Sequence, residues 1–124
     1  GSIDKNKEAN SCFERLLEIN PKLVDAWIGK GWNLSIQSKF DEAISCYEEG
    51  LKIDPKDVQA WYSKGSTLSN MGRNDEAISC FDTVLQIDPE RLDAMFSKGG
   101  NMHNLGRYDE AISCYDKVLG IKEM

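Results

Sequence analysis

The chain has 124 residues, 40% of them hydrophobic, and 21 acidic side chains against 15 basic ones leave a formal net charge of −6. That much apolar material can build a core and argues against a disordered chain, while the acidic balance argues against a nucleic-acid partner, whose phosphates need clustered Lys and Arg. No apolar run approaches the roughly 20 residues that span a bilayer and no charged-then-apolar leader is seen, so no membrane partner is expected.

In chain order, KEANSCFERLLEINP from Lys7 to Pro21 reads as one helix closed by proline. Val24 to Gln37, VDAWIGKGWNLSIQ, holds no proline and sets Ala26, Trp27, Gly31 and Leu34 at helical spacing. It predicts an amphipathic helix of about four turns, roughly 21 Å long. SKF at Ser38 to Phe40 interrupts it, and the corresponding breaks further on are GRN at Gly72 to Asn74 and GRY at Gly106 to Tyr108, glycine being usual just past a helix end. A second helix follows each break. Asp41 and Glu42 suit the positive end of its dipole, Ala43, Ile44, Tyr47, Leu51 and Ile53 supply its apolar stripe, and Asp54-Pro55 ends it.

DEAISCY at Asp41 to Tyr47 returns as DEAISCF at Asp75 to Phe81 and as DEAISCY at Asp109 to Tyr115; both 75 − 41 and 109 − 75 are 34. A fixed period of this size marks a repeat array. The chain divides into a partial unit at 7–23 and units at 24–57, 58–91 and 92–124, forming one array over 1–124. Two such helices cannot bury both apolar faces on each other, so neighbouring units must stack. Ala43, Ala77 and Ala111 are then small where helices cross, and Ile44, Ile78 and Ile112 with Tyr47, Phe81 and Tyr115 fill the space between.

Cys12, Cys46, Cys80 and Cys114 hold the same place in successive units. Stacked helices would set them about 10 Å apart, too far for a disulfide. They are expected as unpaired, half-buried side chains in a reducing compartment, the cytoplasm. His103 is the only histidine and has no cysteine beside it, so no metal site is expected. Neither a phosphate loop, a dinucleotide fingerprint nor a serine elbow is present. The repeated Asp-Glu pairs are neighbours pointing about 100° apart on a helix. No catalytic residue, cofactor or enzyme activity is expected.

One set of positions carries a family resemblance. Trp27, Gly31, Ala43, Tyr47 and Pro55 recur as Trp61, Gly65, Ala77, Phe81 and Pro89, and then as Met95, Gly99, Ala111 and Tyr115. From Lys7 to Met124 the chain resembles the tetratricopeptide repeat. The resemblance implies an all-α fold, a right-handed superhelix or α-solenoid of antiparallel helix-turn-helix repeats of 34 residues. Two features depart from the family pattern. Lys30, Lys64 and Lys98 stand where the family prefers leucine, and their stems are expected to pack while the ammonium groups reach solvent. Gly50 stands where the family has alanine, a weakness of under about 1 kcal/mol in a helix interior.

The resemblance further implies a concave groove lined by the first helix of each repeat. Its positions here are Asp25, Ile28, Trp32, Ser35 and Ile36, then Gln59, Tyr62, Ser66, Ser69 and Asn70, then Asp93, Phe96, Gly100, His103 and Asn104. Ile28, Trp32, Tyr62 and Phe96 would form an aromatic, apolar strip, Ser66 and Gly100 leave room beside it, and Asp25 and Asp93 add acid. The expected partner is a protein or peptide, extended or helical, with apolar anchors and some positive charge. A clamp for an acidic C-terminal tail is not expected, because the positions that would supply its cations and amides are Ile28, Trp32, Ser63, Asp93 and Ser97. The alternative is a structural array that self-associates, as a homodimer, through uncapped terminal helices.

Overall fold

The computed structural model describes residues 2–123, with side chains described from 5 to 120. Seven helices follow one another: α1 (Ser2–Ile19), α2 (Val24–Ile36), α3 (Phe40–Ile53), α4 (Val58–Asn70), α5 (Asn74–Ile87), α6 (Leu92–Asn104) and α7 (Tyr108–Glu123). Each pair α2/α3, α4/α5 and α6/α7 packs as a hairpin, successive hairpins stack through α3/α4 and α5/α6, and α2, α4 and α6 touch in turn. The architecture is the expected all-α, right-handed solenoid. One boundary differs: α1 begins at Ser2, well before Lys7, since no proline or glycine interrupts the run after Ser2.

Helix ends follow from local chemistry. Past α2, α4 and α6 the chain turns through a left-handed residue, Ser38 at φ 63°, Gly72 at 75° and Gly106 at 76°. The next amide then bonds back five residues, Lys39 N–H to Leu34 O, Arg73 to Leu68 and Arg107 to Met102, each 2.9 Å. These bonds satisfy carbonyls that the helix end leaves open. The helices α1, α3 and α5 stop at Ile19, Ile53 and Ile87, two residues short of Pro21, Pro55 and Pro89.

Close crossing explains the repeated glycines. A Cβ on Gly31 would lie 2.6 Å from the Tyr47 ring, one on Gly65 2.9 Å from Phe81, and one on Gly99 2.6 Å from Tyr115. Ala43, Ala77 and Ala111 are buried with Tyr47 and Phe81, as expected. Ile53, assigned to the apolar stripe, is instead exposed at the last turn of α3.

The lysine ammonium groups have neighbours at the surface. Lys30 Nζ stands 5.9 Å from the Trp27 ring centre and 3.6 Å from Glu14, Lys64 Nζ stands 5.5 Å from the Trp61 ring centre, and Lys98 Nζ lies 2.6 Å from Asp82. Two of the three therefore tie a first helix to an acid on the helix before it, at short range that keeps part of the charge attraction. All four cysteines are free. Cys46 and Cys80 are buried, and burial pushes the Cys80 thiol up to about 11. Cys12, expected to be half-buried, is exposed on α1.

Candidate binding face

The sequence-assigned groove positions lie on α2, α4 and α6, and the structure gathers part of them into two separate hollows. The first, about 360 Å³, lies between α2 and α4 and is lined by Asp25, Ile28, Gly29, Trp32, Gln59 and Ser63. Trp32 is its wall, with 47% of its surface exposed. Ile28 is its floor: at 8% exposure it packs with Leu34, Tyr47 and Ala60. The residue expected in an apolar strip is thus mostly buried, because α4 packs against it through Ala60. Gln59 Nε2 donates to Ser63 Oγ at 3.3 Å. The α1 ring of Phe13 presses against Gly29, where a Cβ would come within 2.5 Å.

The second hollow, about 250 Å³, lies between α4 and α6, with Ser66, Ser69 and Asn70 facing Ser97, Gly100, Asn101 and Asn104 over a Phe81 floor. Among the described residues no charged side chain lines it. Asn101 is buried and donates through Nδ2 to Ser69 Oγ at 2.9 Å and to Asn74 Oδ1 at 3.0 Å. The Ser69 hydroxyl in turn donates to the Gly65 carbonyl at 3.0 Å, so it can only accept from Asn101. Asn104 Nδ2 also reaches Asn74 Oδ1, at 3.4 Å. One repeat earlier the same step is a Ser35 to Thr67 hydroxyl contact of 3.3 Å. The second hollow is thus a polar seat, and the first an apolar one beside an acid.

Between and beyond them stand the residues that neither hollow includes. Tyr62 is half-buried with its ring centre 5.7 Å from that of Phe81, and the Arg91 guanidinium lies 5.2 Å over it. Arg91 Nε also donates to Asp93 Oδ1 at 2.9 Å. Tyr62 therefore carries a cation over its ring, and Asp93 is a paired carboxylate. Phe96 is 62% exposed, with Tyr115 5.6 Å away. Ile36 is exposed near the end of α2, and His103 sits edge-on to Tyr108 at 5.3 Å. Sequence reasoning missed Gly29 and Asn101 as lining residues and Arg91 as the cation over Tyr62. Arg91 precedes α6 at the place held by Leu23 and Asp57 before α2 and α4, and only the fold shows that its arm reaches α4.

Comparison with known proteins agrees with the helical-repeat fold. Family models described as tetratricopeptide repeat match residues 58–91 and 92–123, and one described as TPR repeat matches 35–72. No match to a curated protein was found. Among solved structures, a crystal structure of MamA superposes with a TM-score of 0.90 at 21% identity, covering 95% of this chain and 69% of that one. Another crystal structure of MamA protein gives 0.88 at 21% identity, with 95% and 64% covered. The structure named MamA MSR-1 C2 gives 0.82 at 22%, with 99% and 69% covered. The chain thus spans about two thirds of the length of these neighbours, and at such identities the likeness is one of fold.

Proposed function

Since this chain belongs to the tetratricopeptide-repeat family, whose general role is that of a protein-interaction scaffold, we propose that it is a non-enzymatic module holding an extended peptide or helix across α2, α4 and α6. The observation that carries this reading is the hollow at Trp32, where a large indole wall stands open to water above the Ile28 floor. Covering such a surface gains free energy in proportion to the apolar area removed from water, and tryptophan is enriched among residues that dominate interfaces. An apolar anchor enters there, a basic residue beside it meets Asp25, and polar chain follows over Ser66, Asn70, Gly100 and Asn104. None of Ile28, Trp32, Ser63, Asp93 and Ser97 offers a cation, and Arg91 is engaged with Asp93, so a free acidic C-terminal tail is not the ligand. Four free thiols fit a reducing compartment such as the cytoplasm.

The test is a selection of displayed random peptides on the protein and on Trp32→Ala. An enriched motif with an apolar anchor and a neighbouring Lys or Arg is expected, and Trp32→Ala, with unchanged helical circular dichroism, should weaken it by about 2 kcal/mol or more. Identical peptides enriched by both proteins would sink the reading. A second reading, association between copies through α7, is favoured by the bare Ile112, Leu119 and Tyr108 on that helix.

A further inference from the structure

Repeats one and two each seat an indole in the same surroundings. Trp27 Nε1 donates to the Pro21 carbonyl at 2.9 Å and Trp61 Nε1 to the Pro55 carbonyl at 2.7 Å. A lysine three residues on stands over each ring, Lys30 at 5.9 Å and Lys64 at 5.5 Å from the centre. In the third repeat the surroundings persist but the indole does not. Met95 takes its place, and a hollow of about 350 Å³ opens there, with Leu85, Pro89, Met95, Lys98 and Lys117 among its walls. No described residue donates a hydrogen bond to the Pro89 carbonyl. Lys98 is held by Asp82 at 2.6 Å. Lys30 shows that such a pairing leaves ring contact open, since it meets both Glu14 and Trp27.

We propose that this hollow receives a tryptophan side chain presented by a partner polypeptide, its N–H donated to the Pro89 carbonyl and its ring lying between the Met95 thioether and the Lys98 ammonium. Each contact has a general basis. A buried indole N–H seeks an acceptor, a cation favours the ring face, and a thioether packs well against an aromatic. The chain itself supplies the template, because two of its three full repeats make the first two of these contacts internally. The site shares no residue with the hollows at Trp32 and Gly100 and stands or falls apart from them.

The experiment titrates N-acetyl-tryptophanamide into the full chain carrying carbon-13 methionine methyls and nitrogen-15 backbone amides and follows both by NMR. The Met95 methyl should move and saturate, in the wild type and equally in Trp32→Ala, while N-acetyl-leucinamide leaves it in place. The indole N-methyl analogue, which lacks the donor, should bind roughly two- to tenfold more weakly. Met95→Trp puts the missing ring in place, should keep its helical circular dichroism, and should abolish the response read at Leu85 and Lys98. A Met95 methyl that does not move at millimolar probe, a response confined to residues around Trp32, or an undiminished response in Met95→Trp would each overturn the proposal.

Discussion

Gly31 and Gly50 show how one residue type serves two purposes nineteen positions apart. At Gly31 a Cβ would meet the Tyr47 ring at 2.6 Å and the Ala43 carbonyl at 3.0 Å. At Gly50 it would meet Val24, Trp27 and Ile28 at 3.7 to 3.9 Å, ordinary contact distance. Gly31→Ala is expected to destabilise by about 1–3 kcal/mol through overpacking, whereas Gly50→Ala should stabilise by about 1 kcal/mol through helix propensity and filled space. Urea unfolding of both variants checks the pair, and a shared sign would refute the contact assignment. The recurrence of glycine at Gly31, Gly65 and Gly99, and its absence from the later counterparts of Gly50, is legible in the sequence. The contact distances that give the two substitutions opposite signs are not, since they depend on how closely one helix crosses the next.

At the scale of the element, most boundaries were legible because proline, glycine and the apolar period act over a few residues. What differs between equivalent helices is how they begin. Asp57 caps α4, its Oδ1 accepting from the Ala60 amide at 2.9 Å, while Leu23 and Arg91 at the same place before α2 and α6 make no side-chain cap. Asp57→Ala should cost about 1 kcal/mol and lower the melting temperature by about 2–8 °C, measured by circular dichroism. An unchanged melting temperature would mean that stacking alone holds the start of α4. Arg91 spends its side chain differently, on the Tyr62 ring and Asp93. That arrangement needs α4 and α6 side by side, so no local pattern announces it, and the same holds for the lysines that reach Glu14 and Asp82.

Across the whole molecule, stacking decides which of several identical side chains is dry. Ile78 on α5 is 7% exposed under α6 and α7, whereas Ile112, its counterpart on α7, is 55% exposed beside Leu119 and Tyr108. If copies associate through this face, light scattering should show a mass that rises with concentration, and Ile112→Lys should return it to the monomer. A wild type that stays monomeric at every concentration would remove that reading. No described helix is long and apolar enough to cross a membrane. The sequence by itself determined the helices, their 34-residue rhythm and the family, because these rest on periodicity and on residues acting within one or two turns. Only the tertiary structure decided that Ile28 is a floor, that Arg91 lies over Tyr62 and pairs with Asp93, that a polar seat forms around Asn101, and that a hollow lies beside Met95. Each of these depends on the distance between helices that are far apart in the chain, which a period can imply but not measure.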